Sequence, residues 1–548
     1  MQEPEQDSCH PEERPPPSAP ALPAAALLPG ATALALVIAL TCGACRAPVG
    51  VDRTGFEPNF RAQRASVLDQ QGLSAISLQL LSFAGLEETY REDPEEALQR
   101  LEELVLAERR RRPFVALAEL VHARAKATGD PGRYLLSALY AYQYLFSEEL
   151  EPAPDPYDPL FRLACDLYNR SLALALLDES GELDLSDRTV QTPRGPCALS
   201  ERRPGFPWGR EEFSRFLPAD AYSVRGLRTR VRLSGLGVPL IAVRSRSSIQ
   251  DPMRDHVAPN LKLAATALLV PDGGVEELES GGLSGTLELY FPTDTEAVQL
   301  AGRRVPLEAD LTAPLAFSLE DSPVWDFSIG GFLRGGDELA ETGVYMTQPY
   351  QTGKIPVLLL HGTASNPAQW SQLVNGLMLD ARLRGHYQLW VGLYHTGNPI
   401  LYSAWEIRGA LDELIADLDP GRTEEALERM VVVGHSQGGL VARLLVSSSG
   451  DDFWSLVSSK PFADYPLSPE AREILSGSIF FEPVPSITRA VFISTPHRGS
   501  FLAASWIGRL ARGLVEAPKN LSRSLRQLGQ TADLPEELRQ EVPTLSLI

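Results

Sequence analysis

The sequence predicts an α/β fold for the C-terminal region, with a mostly parallel, doubly wound sheet that follows an all-helical region and a β-rich region. From Lys354 onward, short apolar strands alternate with amphipathic helices, an order typical of such sheets. Before this point apolar residues recur first at helical spacing and then at alternate positions. We therefore expect a targeting segment and linker in 1–64, helices in 65–200, strands in 201–340 and the α/β domain in 341–548.

Composition excludes several classes of protein. The 548 residues are 44% hydrophobic and 22% charged, so a large core can form without metal or disulfide staples. The net charge of −21 argues against a nucleic-acid partner, because nothing offsets phosphate repulsion. Cysteine and histidine spacings suggest no metal site, and no cofactor is expected. Cys165 and Cys197 form either a disulfide or two buried thiols.

The N-terminus has the pattern of a targeting segment. Ala24–Leu40 is almost wholly apolar and is followed by Cys-Gly-Ala-Cys, which resembles a bacterial lipobox with Cys45 as the lipidated residue. Two features depart from that pattern: Cys42 stands where an aliphatic residue is usual, and Arg14 is the only basic residue of the leading segment. The alternatives are another export signal or membrane anchor, or an Ala/Pro-rich arm without such a role. We expect export to the cell envelope, with membrane attachment through this end.

The second region is predicted to be helical. Asp93 is placed to cap a helix, and further helices are predicted at Phe114–Ala127, Gly132–Phe146 and Asp158–Leu177. The helix pairs loosely resemble a tetratricopeptide-like solenoid, which could bind a protein partner, although no clean repeat period is present. A plain helical cap is the alternative.

The third region is predicted to be rich in strands. Thr229–Leu233 and Gly285–Phe291 alternate polar and apolar residues, and Leu261–Val270 is a continuous apolar run suited to a buried strand. No motif that carries chemistry lies in this region.

The α/β region contains four predicted strands and three predicted helices. The strands are Pro356–Leu360, Gln388–Tyr394, Met430–Val433 and Ala490–Ser494, and the helices are Trp370–Leu383, Trp405–Leu418 and Gly438–Val446.

The segment MVVVGHSQGG, residues 430–439, is the centre of the functional prediction. Gly434 and Gly438 leave room for a tight turn between strand and helix, with His435 and Ser436 at its apex. Such a turn holds a serine in a strained conformation at a helix N-terminus, where backbone N–H groups can support developing negative charge. The pattern therefore predicts Ser436 as a nucleophile.

Acyl transfer also needs donors for the oxyanion of the tetrahedral intermediate. One predicted donor is the backbone N–H of Gln437, next to the nucleophile. The second is the backbone N–H of Thr363, in the turn after the earlier strand. There we expect Gly362 to permit close approach of the chain to substrate, and His361 to orient the turn rather than to transfer protons.

Three segments resemble the lipase and esterase branch of the α/β-hydrolase superfamily: VLLLHGTASNPAQW, VVVGHSQGGLVARLL and AVFISTPHRGS. The resemblance covers about residues 340–515 and implies a serine hydrolase that cleaves lipid or other apolar acyl esters through an acyl-enzyme on Ser436. Amidase, thioesterase or acyltransferase chemistry uses the same turn and stays open. A non-catalytic, partner-binding protein with a vestigial hydrolase fold is the alternative of a different class.

In enzymes of this kind the acid and the histidine follow the nucleophile in the chain. After Ser436 the sequence holds one histidine, His497, within the third matching segment. We therefore expect a truncated chain, with the acid and the general base beyond Ile548. The rival arrangement uses His497 as the base, with Asp451, Asp452 or Asp464 as its acid.

Residues 451–485 form an insertion that is rich in aromatic residues. Such an insertion is either a lid over an apolar acyl chain or an ordinarily packed long loop.

Overall fold

The computed structural model describes residues 49–51, 53–69, 72–245, 256–257, 261–320, 342–456 and 458–499. The chain divides into two compact units, Met1–Gln63 and Arg64–Ile548. Among the described residues, no helix combines the length and the apolar character needed to cross a bilayer. The predicted apolar run Ala24–Leu40 and the lipidation candidate Cys45 lie outside the described residues.

The N-terminal unit contains helix α1, Phe56–Arg64, which continues one residue into the next unit. This helix lies in a segment predicted to be linker. Its first turn carries Glu57 and Pro58, both favourable at a helix start.

Six helices open the second unit, and three of them begin with an Asp-Pro pair. The Asp93, Asp130 and Asp158 side chains accept hydrogen bonds from the first backbone N–H groups of their helices, and the proline occupies a position that needs no N–H donor. The helices are α2 (Ala75–Ala84), α3 (Glu87–Glu92), α4 (Pro94–Glu108), α5 (Arg111–Thr128), α6 (Pro131–Phe146) and α7 (Pro159–Leu176).

A six-stranded mixed sheet follows, in the order β1-β2-β7-β6-β5-β3. Only the β2–β7 pair is parallel within this sheet. Its strands are β1 (Arg188–Thr192), β2 (Gly195–Arg202), β3 (Phe213–Pro218), β5 (Val238–Arg244), β6 (Lys262–Pro271) and β7 (Leu283–Tyr290). The smaller elements of this region are β4 (Arg232–Leu233), α8 (Val275–Ser280), β8 (Ala297–Leu300), β9 (Arg303–Pro306), β10 (Ala309–Asp310) and α9 (Thr312–Glu320).

Both faces of this sheet are covered. Leu240 and Ala242 of β5 join the large core that contains the helices, whereas Ile241 between them packs with Ala313 of α9. Helix α7 is tied to β6 by the Tyr168 hydroxyl, which donates to Leu269 O at 2.6 Å and accepts from Leu269 N at 2.7 Å. Because successive strand residues face opposite sides, each side needs its own helical cover.

The expected boundary at residue 200 lies within β2, Gly195–Arg202. The helices of this region end with α7 at Leu176; β1 then pairs with β2, and β2 pairs with β7. Cys165 and Cys197 are both buried free thiols, which decides between the two alternatives for this pair.

The C-terminal region contains a five-stranded sheet in the order β11-β13-β12-β14-β15. Strand β11 is antiparallel to β13, and the other neighbours are parallel. The strands are β11 (Gly343–Met346), β12 (Ile355–Leu360), β13 (Tyr387–Leu393), β14 (Met430–His435) and β15 (Ile487–Ile493). The helices are α10 (Ser371–Leu379), α11 (Ala381–His386), α12 (Ile400–Leu418), α13 (Gln437–Leu445), α14 (Asp452–Ser455) and α15 (Pro469–Ile479).

Alternate residues of these strands enter two different cores. Leu359 and Val433 pack with Val374 of α10. Leu358 and Val432 face the opposite side, in the large core that also holds residues of α12 and α13. Helices on both faces leave the carboxyl edge of the sheet to the connecting loops, where ligands of α/β proteins bind.

The predicted helix Trp370–Leu383 is interrupted in the structure. Asp380 accepts hydrogen bonds from Arg382 N and Leu383 N, so its side chain caps a second helix, α11, instead of continuing α10.

Candidate active site

The turn between β14 and α13 holds Ser436 in a conformation rare for a residue with a side chain. Its φ is +52° and its ψ is −118°, outside the regions that L-residues ordinarily occupy. The conformation is fixed from both sides, since Ser436 N donates to Ile493 O at 2.9 Å and Gly439 N donates to Ser436 O at 3.0 Å. Strain held in this way by neighbouring elements is typical of functional positions.

Glycines surround the turn because backbone fills the space that a side chain would need. A Cβ atom at Gly434 would overlap with Gly438 O and Gly439 Cα, and one at Gly438 would overlap with the carbonyl groups of Leu360 and His361. Gly439 is a third such position, facing the Thr495 side chain, and it was not singled out from the sequence. These contacts press α13 against the ends of β12 and β14.

Gly362 brings the preceding turn against the nucleophile. A Cβ there would lie 2.8 Å from His435 Nδ1 and 3.1 Å from Ser436 Cβ. Because Gly362 has no side chain, the turn after β12 can lie close to the turn that holds Ser436. The sequence had instead suggested that Gly362 permits close approach of the chain to substrate. His435 is half-buried and makes an edge contact with Trp370, with ring centroids 6.5 Å apart.

His361 is fully buried and stacks on Tyr394, with ring centroids 4.5 Å apart. Burial lowers the pKa of its imidazole to about 4, so the ring is neutral near pH 7. Its Nδ1 lies 3.2 Å from Gly362 O. This environment is suited to holding the turn rather than to proton transfer.

The backbone N–H groups of the turn after β12 differ in whether they make a hydrogen bond. Gly362 N donates to Gln369 Oε1 at 3.3 Å and Ala364 N donates to Thr396 Oγ1 at 3.1 Å. Within the described residues the Thr363 N–H between them makes no hydrogen bond. The N–H of Gln437 stands at the start of α13, where a helix offers no internal acceptor. Within the described residues neither predicted oxyanion donor has a hydrogen-bond partner, so both can bind a ligand.

Side chains join three loops at this edge of the sheet. The Thr363 hydroxyl donates to Gln437 Oε1 at 2.9 Å, and Gln437 Nε2 donates to Thr396 O at 3.0 Å. Thr396 follows β13 and was not identified from the sequence. Its position just after the predicted strand Gln388–Tyr394 was the available signal, because loops at carboxyl strand ends meet at one edge.

Within the described part of the chain, the Ser436 hydroxyl makes no hydrogen bond and so has no histidine partner. His497 is exposed, and its ring makes an edge contact with Phe492 at 4.8 Å between centroids. Helix α13 carries the chain about 13 Å along its axis, over nine residues, away from the nucleophile, and Asp451 and Asp452 follow its last residue by six and seven positions. Asp464 is exposed and, within the described residues, forms no hydrogen bond or ion pair with His497, so the structure gives no support to the rival triad.

The aromatic insertion packs largely against itself. Trp454 makes ring contacts with Phe462, Tyr465 and Phe480 at centroid distances of 5.0, 5.2 and 6.4 Å. The insertion is joined to the end of α13 through Val484 N, which donates to Leu445 O at 2.8 Å. This cluster corresponds to the packed-loop alternative rather than to a lid of exposed apolar side chains.

Among the described residues, no group of three or more His, Cys, Asp or Glu side chains could hold a metal ion.

Residues 357–545 match the model of the alpha/beta hydrolase family. This match supports an α/β-hydrolase domain in the C-terminal region and, at a coarse level, a hydrolase. The family consists mostly of hydrolytic enzymes and also includes non-catalytic members. No curated protein and no solved structure matched the chain.

Proposed function

We propose that this protein is a serine hydrolase that cleaves carboxylic esters, with lipid or other apolar acyl esters as substrates. The observation that carries the proposal is the strained Ser436 between β14 and α13, next to two free backbone N–H groups. In the proposed reaction Ser436 Oγ gives up its proton and bonds to the carbonyl carbon, the ester C–O bond breaks, and the alcohol leaves with that proton on its oxygen. Water then releases the acid from the acyl-enzyme. Gln437 and Thr363 stabilise the oxyanion through their N–H groups.

A fluorophosphonate probe tests the nucleophile directly. We expect the full-length gene product to be labelled and its Ser436→Ala variant to lose all labelling, because the probe bonds covalently to an activated serine hydroxyl. Ser447→Ala is the matched control, since Ser447 lies beyond the other end of α13 and its partly exposed hydroxyl donates to Arg443 O. Labelling is measured by in-gel fluorescence and by mass spectrometry of the modified peptide.

Absence of labelling in a folded product shown to contain a histidine base after the nucleophile would contradict the proposal. That result would favour the non-catalytic alternative, in which the helical region binds a protein partner and the hydrolase fold has lost its chemistry.

Export to the cell envelope with a lipid anchor on Cys45 is a separate proposal, supported by the apolar run Ala24–Leu40 and the small residues after it. In a bacterial host, incorporation of an alkyne-labelled fatty acid that Cys45→Ala abolishes and Cys9→Ala preserves is the expected result. Equal incorporation in both variants would rule out Cys45 as the anchor.

A further inference from the structure

Thr396, Gln437 and the turn at Thr363 form a closed ring of hydrogen bonds. Thr396 O accepts from Gln437 Nε2, Gln437 Oε1 accepts from the Thr363 hydroxyl, and Thr396 Oγ1 accepts from Ala364 N. Because residues 363 and 364 are covalently joined, three hydrogen bonds suffice to close the ring. It links the loops after β12, β13 and β14.

The ring contains the two residues whose N–H groups are the proposed oxyanion donors. Gln437 takes part through its side chain while its backbone N–H stays free for a ligand. Thr363 likewise uses its hydroxyl and leaves its N–H free within the described residues. The separation of the two donors therefore depends on the direct bond between Thr363 and Gln437 and on the two bonds that pass through Thr396.

The environment of the ring makes these bonds rigid. Thr396 is 6% exposed and Gln437 is 8% exposed, so water competes weakly for their polar atoms. The loop after β13, which contains Thr396, is also fixed on the side of α12. Asn398 N donates to His395 O at 3.0 Å, and Asn398 Nδ2 donates to Glu406 Oε2 at 3.5 Å. Thr396 is thus held by α12 on one side and by both donor turns on the other.

We propose that Thr396 is a positioning residue for the oxyanion site, acting through Gln437 and Ala364 to set the spacing of the two N–H donors. The inference rests on the proposed function and extends it to a loop that touches neither the nucleophile nor the bonds that react. Donors aimed at a developing charge act only when they are held in place before reaction, so a loosened ring lowers the rate more than it lowers binding.

The test compares Thr396→Val, which removes the hydroxyl acceptor with little change of shape, with Thr396→Ser, which keeps it. Thr347→Val is the matched control, because its hydroxyl donates to Leu389 O at 2.7 Å in the loop after β11, outside the ring. We measure kcat and KM with p-nitrophenyl butyrate, the rate of fluorophosphonate labelling, and amide hydrogen exchange of peptides that contain Ala364.

For Thr396→Val we expect kcat and the labelling rate to fall about 10-fold, KM to change less than about 2-fold, and exchange at Ala364 to accelerate. Thr396→Ser should recover most of the loss, and Thr347→Val should resemble the wild type. Faster exchange at Ala364 with unchanged kcat would overturn the inference and leave the proposed function standing. A wild-type chain that neither labels nor hydrolyses ester would overturn both.

Discussion

At the scale of single residues, the site depends on glycines that allow backbone to touch backbone. Gly434, Gly438 and Gly362 each lie against atoms of another turn or strand, and none of these three is among the positive-φ glycines. Close packing, rather than backbone freedom, therefore explains these residues. The strain of the turn is carried by Ser436 itself, with its φ of +52°.

Gly434→Ala tests this explanation. The added methyl group would overlap with backbone atoms of α13 that cannot move aside cheaply, so we expect a loss of about 2–3 kcal/mol in the free energy of unfolding and loss of fluorophosphonate labelling. Gly409→Ala is the control: this glycine is exposed on α12 with no atom within 4 Å of the added Cβ, and alanine there should stabilise by up to about 1 kcal/mol. Equal urea midpoints for both variants would refute the packing argument.

At the scale of elements, local signals predicted helices better than they predicted edge strands. Helical spacing indicated α4, α6 and α7, and Asp93 was recognised as the cap of α4, because a cap acts within a few residues of its helix. The caps Asp130 and Asp158 were not recognised. Strands β1 and β2 were missed, although the turn Thr192-Pro-Arg-Gly195 between them was visible in the sequence. A strand is defined by its partners, and one of the two partners of β2 is β7, about 85 residues further along the chain.

The structure of the aromatic insertion, residues 451–485, also depends on contacts between residues far apart in the chain. Its composition fitted either a lid or a packed loop. The ring contacts of Trp454 favour the loop, and they join residues up to 26 positions apart. Hydrophobic composition alone does not determine which side chains pack together.

At the scale of the whole molecule, the β-rich region and the α/β region share buried polar contacts. Asn375 of α10 is 1% exposed; it accepts from the Thr312 hydroxyl at 2.6 Å and donates to Thr229 O at 2.8 Å. Arg384 pairs with Glu296 at 2.5 Å, with a guanidinium side chain that is 3% exposed. Buried polar groups are costly to leave unpaired, so these regions stabilise one another.

Stability of the whole chain should depend on pH through its buried carboxyl groups. Burial raises the pKa of Glu406 on α12 to about 7, from an ordinary value of 4.5. Between those two values the folded chain retains a proton that the unfolded chain loses, so this group lowers the free energy of unfolding as pH rises from 5 to 8. Glu102 acts in the same direction, whereas His122 and His361, with pKa values lowered to about 4, act in the opposite direction below pH 6.5.

These four groups change the free energy of unfolding over overlapping pH ranges. The difference in that free energy between Glu406→Gln and the wild type therefore reports on Glu406 alone. We expect the variant to gain up to about 3 kcal/mol relative to the wild type between pH 5 and pH 8, measured by urea unfolding at each pH. Glu413→Gln is the control, since that side chain is exposed on the same helix. A Glu406→Gln difference that stays constant with pH would show that this carboxyl does not titrate in the window.

The sequence by itself determined where the strand, the turn and the helix around Ser436 lie, because spacing of glycines and apolar residues acts over about ten residues. It also indicated that Gln437 and Thr363 could offer backbone N–H groups to the oxyanion. Only the tertiary structure decided that Gly362 meets His435, that Thr396 joins both donors, and that β1 and β2 belong to a sheet. Those contacts connect residues 30 to 90 positions apart, and packing, rather than any local pattern, selects them.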